Sequence, residues 1–305
     1  MTRVVEVPTH FDDRSFDQFA RAFGEPNGER LLFDAHAVQW ASPYGLVGLL
    51  VAGQSTVERG DQRPQLTIPT DRDVVHYWGR TGFFEFAGEW FEIHGRPPRV
   101  AVSRSSDVLL EITHVQGADD VHGVVSIIQE RAAAILSGEL GLEAKATMGF
   151  GMALSEACQN IVEHAGTSGW VAVQTYHWRR RLGRRVVVIA VADAGMGFRR
   201  SLEATQTSRY GDRWGDAAAL EAALIHGVSR FRDPGRGQGL GGIRRYLNRW
   251  DGKISLRSGT ARIAMVPAWD DDIPLADGLP QFPGSQMLQI IPAHQAEATT
   301  CKAST

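Results

Sequence analysis

The stretch VVVIAVADAGMGF (186–198) constrains the fold of this chain more than any other. Its opening apolar run carries no polar face and reads as a buried strand that runs straight into D-A-G-M-G. Asp193 then sits at a buried strand end, where its carboxylate can accept a hydrogen bond from a ligand amine. Gly195 and Gly197 let the backbone turn and approach closely. The plainer reading is a strand-terminating turn, in which Asp and Gly are ordinary residues. By itself the stretch does not define a site.

Two further motifs bracket it. The segment EAKATMGFGMALSEACQNIVEHA (143–165) has Phe150, Leu154, Cys158, Ile161 and Ala165 at helical spacing, which gives one face to bury. Glu156, Asn160 and Glu163 run along the nearly opposite face, with Glu156 and Asn160 one turn apart. On a pocket wall such a pair offers a carboxylate base beside an amide oxygen, a hard ligand suited to Mg²⁺. On a free surface it is only a solvated polar face. Downstream, GRGQGLGG (235–242) holds five glycines in eight positions. Gly237, Gly239 and Gly242 satisfy G-x-G-x-x-G, but the cluster follows HGVSRFRDP rather than a strand. The chain some twenty residues on, RSGTAR, offers no acid for a ribose, so a dinucleotide fold is excluded. No G-x-x-x-x-G-K-[ST] exists in the chain. A helix starting near Leu240 would still aim free N–H groups and its positive end at an anion.

Taken in order, E-x-x-x-N on a helix, D-x-G-x-G after a buried strand and G-x-G-x-G before a second helix resemble the Bergerat ATP-binding fold. That is the GHKL superfamily of gyrase, the heat-shock chaperone, sensor histidine kinases, MutL and anti-sigma kinases. LSEACQNIVEHA looks like the anti-sigma-factor kinase branch. The resemblance covers roughly the C-terminal two-thirds and implies ATP and Mg²⁺ as ligands. It makes Glu156 the general base, Asn160 the Mg²⁺ ligand and Asp193 the acceptor for the adenine amine, with Gly195 and Gly197 shaping the base pocket. Gly237, Gly239, Leu240 and Gly241 would form the phosphate-covering loop, with Arg236 nearby. The family's last motif, a Gly-Thr ahead of the final strand, falls on Gly284-Ser285, preferred because that strand closes the domain and ends in Pro. Gly259-Thr260 is the alternative. Gly242 stands where the family places a hydrophobic residue. The loop-rich segment 199–236, with one helix at 216–228, would be a lid.

The first hundred residues alternate strands (RVVEV, 31–38, 65–69) with helices (15–23, 42–60, 73–84), as in a small α/β layer. LLFDAHAVQWASPYGLVGLLVAG resembles STAS domains of the anti-anti-sigma type through Asp34, Gly45 and Leu46. The position of that family's phosphoacceptor serine is Pro43 here, with Ser42 one step earlier, which points to a scaffold or docking role. Residues 101–293 read as α+β: strand 108–115, helices 119–140 and 143–165, strands 170–178 and 184–195, then strands 253–267 and 286–292. The expected architecture is thus a STAS-like α/β layer (1–100), a Bergerat-fold α/β sandwich with helices on a mixed sheet (101–293) and a disordered tail (294–305).

The bulk numbers fit this picture. The 305 residues carry a net charge of −3, so no basic field points to nucleic acid. The basic cluster RRRLGRR (179–185) lacks interleaved aromatics and reads as a hairpin tip. Two cysteines set up neither a disulfide framework nor a zinc site. The N-terminus shows no apolar signal segment, and the longest apolar run, 44–53, is too short for a bilayer, so the expectation is a cytoplasmic protein. The expected function is a Mg·ATP-binding regulator that phosphorylates a partner protein on Ser/Thr or switches shape on it. The partner would be sigma-regulator-like or encoded in the same operon, and homodimerisation is left open. The alternative is a non-catalytic interaction module gated by ATP on a degenerate STAS scaffold.

Overall fold

The computed structural model describes residues 2–25, 28–98, 108–117, 119–123, 126–127, 144–179, 181–228 and 239–293. The helix expected at 119–140 lies mostly outside these residues, and the tail 294–305 wholly so.

The N-terminal block is built from short strands joined by helices: β1 (Thr2–Glu6), β2 (His10–Phe11), α1 (Phe16–Phe23), β3 (Arg30–Asp34), β4 (Trp40–Ala41), α2 (Pro43–Glu58), β5 (Gln65–Thr67), α3 (Arg72–Arg80), α4 (Phe83–Trp90) and β6 (Glu92–His94). Strands β1, β3, β5 and β6 form a four-stranded sheet in that order, parallel throughout. Parallel strands need crossovers, and the helices supply them. The single helix expected at 73–84 is two, because the chain breaks at Gly82, which has a left-handed φ of 78°. Ser42 caps α2, its hydroxyl accepting from the Gly45 N–H at 3.2 Å, and Pro43 follows in the first turn, where its missing N–H costs nothing. As a buried cap, that hydroxyl is not displayed for modification.

Beyond residue 100 the elements are β7 (Val108–Val115), α5 (Ala144–Asn160), β8 (Gly169–Trp178), β9 (Arg184–Asp193), α6 (Gly197–Tyr210), α7 (Asp216–Leu224), α8 (Gly239–Arg249), β10 (Lys253–Gly259), β11 (Ala261–Met265), β12 (Leu275–Ala276) and β13 (Phe282–Pro292). Seven strands form one sheet in the order β12-β11-β10-β13-β9-β8-β7. The mixed sheet implied by the resemblance is in fact antiparallel at every pairing. The stretch 253–267 is a hairpin rather than one strand, turning at Gly259 with φ 59°. The chain is therefore α/β in its first part and α+β in its second.

Alternation along β8 and β9 explains why the run 186–192 is apolar at every position. Val171, Val173, Val187, Ile189 and Val191 face a core shared with Leu154, Cys158, Leu220, Leu240 and Leu247 of the C-terminal helices. Trp170, Ala172, Val186, Val188, Ala190 and Ala192 face a second core, shared with Phe16, Phe19, Leu46, Leu50 and Phe91 of the N-terminal block. The sheet is covered on both faces, so neither parity of the strand tolerates a polar residue.

Helix α2 lies in this second core and is buried all round from Pro43 to Thr56. It packs on β8, β9 and β13 on one side and on α4 on the other. Such contact requires small residues: a Cβ on Gly48 would stand 2.4 Å from the Phe16 ring. Buried polar contacts cross the same seam. Tyr44 donates to Gln286 Oε1 at 3.1 Å, Trp170 Nε1 donates to Gln54 Oε1 at 2.7 Å, and Arg257 Nη2 meets Asp17 at 3.2 Å. Lys253, only 1% exposed, lies 3.3, 3.1 and 2.9 Å from Asp13, Asp270 and Asp272. A single apolar core thus runs across residue 100.

Candidate functional site

Strand β9 delivers Asp193 to its end, with only 4% of the residue exposed. Oδ1 accepts from the Gly195 N–H at 2.8 Å, and Oδ2 accepts from the Ser285 hydroxyl. In the ladder Asp193 pairs with Gly169 on β8 and Ser285 on β13. Burial raises the Asp193 pKa above the ordinary carboxylate value, and the hydrogen bonds from Ser285 and Gly195 only partly oppose it. The Ser285 N–H is a third donor to the carboxylate, which has about four acceptor sites and so keeps one for a ligand.

The turn after Asp193 is packed so closely that glycine is required. A Cβ on Gly195 would stand 2.1 Å from the Ala165 carbonyl oxygen, the atom that accepts the Met196 N–H at 3.0 Å. Gly284, at φ 66°, approaches Asp193 even more tightly, since its Cβ would lie 1.8 Å from the Asp193 carbonyl oxygen. Gly197 has φ 72° and opens α6, where Ser258 Oγ accepts the Phe198 N–H at 3.1 Å and donates to Gly284 O at 3.1 Å. A cavity of about 500 Å³ adjoins this turn, lined by Met196, Arg199, Glu203, Asp216, Ser258 and Gly284 among others.

Helix α5 reaches the same turn from the other side. Leu154, Ala157, Cys158 and Ile161 are buried, while Glu156 and Asn160 are half-buried. Burial pushes the Cys158 thiol up to about 12, which leaves it unreactive. The Asn160 amide Nδ2 is buried and lacks a hydrogen-bond partner among the described residues, an unusual and costly condition. After Asn160 the helix widens into a π turn, Ile161–Ala165, which places the Ala165 carbonyl against Met196. Single π turns of this kind recur at functional sites.

Helix α8 starts at Gly239 and packs against α5. Leu240, Ile243 and Leu247 are buried together, so the Leu240 side chain enters the core and only its backbone remains for a ligand. Among the described residues, nothing lies within 4 Å of the Cβ positions of Gly241 and Gly242. Arg236 and Gly237 lie outside the described residues. The expected loop-rich lid is largely helical in its described part: α6 and α7 occupy 197–210 and 216–224. Asp216 Oδ2 accepts from both the Thr260 N–H and the Thr260 hydroxyl at 2.9 Å, tying α7 to the β10–β11 hairpin. Of the two Gly-Thr-like candidates, Ser285 is the one in contact with Asp193. Ser258, Ala165 and Asp216 have no signal in the sequence, because their roles arise from contacts between distant segments.

Residues 120–250 match the family model of the histidine kinase-like ATPase domain. No curated protein matches the chain. The matched span includes the α5 pair, the Asp193 turn and the start of α8. It stops before Ser285, and it does not include the N-terminal block. An ATPase domain of this kind implies ATP binding and, typically, Mg²⁺. Asp193 suits an amine-bearing base, and the buried Asn160 Nδ2 is a donor left unsatisfied among the described residues at that helix face. Among the described residues, no helix is long and apolar enough to cross a membrane.

Proposed function

We propose that this protein binds Mg·ATP in the site formed by α5, the Asp193 turn and α8, and uses it to phosphorylate a Ser or Thr of a partner protein or to change its own conformation. The observation that carries the reading is the Asp193 carboxylate, buried at a strand end and held by the Gly195 N–H and the Ser285 hydroxyl. Asp193 accepts from the adenine amine, and Gly195 and Gly197 give the base its close approach. Asn160 would offer its amide oxygen to the metal, and the α8 N-terminus with Gly239 and Gly241 would donate backbone N–H groups to phosphate oxygens. Glu156, one turn before Asn160, takes the proton from the attacking hydroxyl of a side chain or of water. When bound, Mg²⁺ offsets charge on the phosphates. In chain order this reading gives two parts, a STAS-like block over 1–100 and the ATP-binding part over 101–293, joined by the common core.

Isotope-labelled ATP tests the chemistry. Label on a protein supports the kinase, and free phosphate supports an ATPase. Binding with neither supports an ATP-gated interaction module, the reading favoured by glycine at 242, where the family resembled places a hydrophobic residue. Calorimetry tests the site. Glu156→Ala is expected to keep ATP affinity and lose turnover, and Asp193→Ala to lose binding. Normal ATP binding by Asp193→Ala would overturn the assignment.

A further inference from the structure

Helix α2 lies on the face of the seven-stranded sheet opposite α5 and α8. Two of its buried polar side chains, ten positions apart, each reach a strand that flanks β9. The Tyr44 hydroxyl donates to Gln286 Oε1 on β13 at 3.1 Å. Gln54 accepts from Trp170 Nε1 on β8 at 2.7 Å, and its amide donates to Ser168 Oγ at 3.1 Å and Ser168 O at 3.3 Å. In the ladder Gln286 and Trp170 pair with Ala192 from its two sides. The next rung is Ser285–Asp193–Gly169. The helix therefore holds, from behind, the rung immediately before the one that presents Asp193.

The loop beside that rung is anchored as well. Ser168 lies three residues after Ala165, whose carbonyl fixes Met196 in the Asp193 turn. Thr167 and Gln54 both donate to Glu58 Oε1, at 2.9 and 2.8 Å. Gln54 is fully buried, and no water is needed to satisfy either end of its amide. Both strands that frame Asp193 are thus bound to one buried helix of the N-terminal block.

We infer that Tyr44 and Gln54 are positioning residues for the nucleotide site, and that α2 couples the N-terminal block to nucleotide affinity. This rests on the nucleotide reading above. A shift of α2 moves the Gln286–Ala192–Trp170 rung, and with it the Asp193 carboxylate and the Met196 turn. By linkage the effect is reciprocal: a nucleotide on Asp193 holds α2 in place.

The test uses the full chain and titration with a fluorescent adenine nucleotide, at a temperature where melting curves show each variant folded. Tyr44→Phe and Gln54→Leu are each expected to weaken binding about fivefold or more. Thr56→Val is the control: the Thr56 hydroxyl donates to Ala52 O within α2, so this change is expected to shift melting and leave affinity unchanged. A purely structural role for Tyr44 and Gln54 would lower melting temperature in the same way and leave affinity at the wild-type value. That result overturns the coupling and spares the nucleotide reading. If Gln54→Leu does not fold, Tyr44→Phe, which loses one hydroxyl, decides alone. Wild-type protein that binds no nucleotide overturns both. Slower amide hydrogen exchange in α2 on nucleotide saturation is the expected reciprocal sign, and unchanged exchange under saturation also overturns the coupling.

Discussion

Asp193 concentrates the chemistry of the candidate site in one carboxylate. As an acceptor it suits the amine at position 6 of adenine and opposes the carbonyl oxygen that guanine carries there. GTP is expected to bind about 10- to 100-fold more weakly than ATP, the worth of one hydrogen bond to a charged group; competition titration measures it. The raised pKa sets the sign of two further effects. Protonation turns the acceptor into a donor, so ATP affinity is expected to fall as pH drops through a window above the ordinary carboxylate range. For stability the direction is opposite. A folded pKa above the unfolded one means that the folded chain holds the proton more tightly. The group then favours folding at low pH and costs stability as pH rises from the unfolded value through the folded value. Asp193→Asn is therefore expected to lose ATP binding while matching or exceeding wild-type melting temperature at pH 7 without ligand. A variant that loses both binding and several degrees of melting temperature would contradict this. The acidic residue and its two glycines were legible in the sequence as D-A-G-M-G. The Ser285 hydroxyl against it was only one of two candidates, since its contact spans 92 positions.

At the level of single elements, α2 and β8 set the packing. Gly48→Ala in α2 places a methyl 2.4 Å from the Phe16 ring and is expected to cost about 1–3 kcal/mol by overpacking; chemical denaturation reads it. The β7 residue His114 stacks on Trp170 at 4.2 Å between ring centres and shares a 2.8 Å hydrogen bond with Ser168 Oγ. Burial lowers its pKa, with Glu89, Asp120 and Glu58 pulling the other way. A depressed folded pKa means the unfolded chain takes the proton first. Stability is thus expected to fall as pH drops below the ordinary histidine value of about 6.5. His114→Gln should flatten melting temperature between about pH 5 and 7. Long elements were visible in the sequence, α5 from its apolar spacing and α2 from its continuous apolar run. The break at Gly82 and the helical content of the lid were not, because both depend on what the segment packs against.

Across the whole molecule, Lys253 shows how the two blocks are joined. Burial opposes its charge, yet Asp13, Asp272 and Asp270 outweigh that and raise its pKa. Removing the ammonium takes away the one cation these three carboxylates share, although Asp270 keeps Arg14 and Arg181 and Asp272 keeps Arg262. Lys253→Ala is expected to destabilise the protein by about 3–5 kcal/mol, read by denaturant unfolding. Because the core is continuous across residue 100, unfolding should be one transition for both blocks. Asp13 belongs to the first block and Lys253 to the second, so the pair could not be read from either segment alone.

The sequence by itself determined the local structures that hold the candidate residues: the Glu156–Asn160 helix, the Asp193 strand end and the helix that begins at Gly239. Those follow from periodicity and turn chemistry, which act within a few residues. Only the tertiary structure decided that Ser285 reaches Asp193, that Leu240 turns into the core and that α2 grips the strands around the site. It also decided that two segments read separately enclose one sheet from both faces. Burial and register are properties of pairs of distant segments, and a strand apolar on both faces does not say what covers each one.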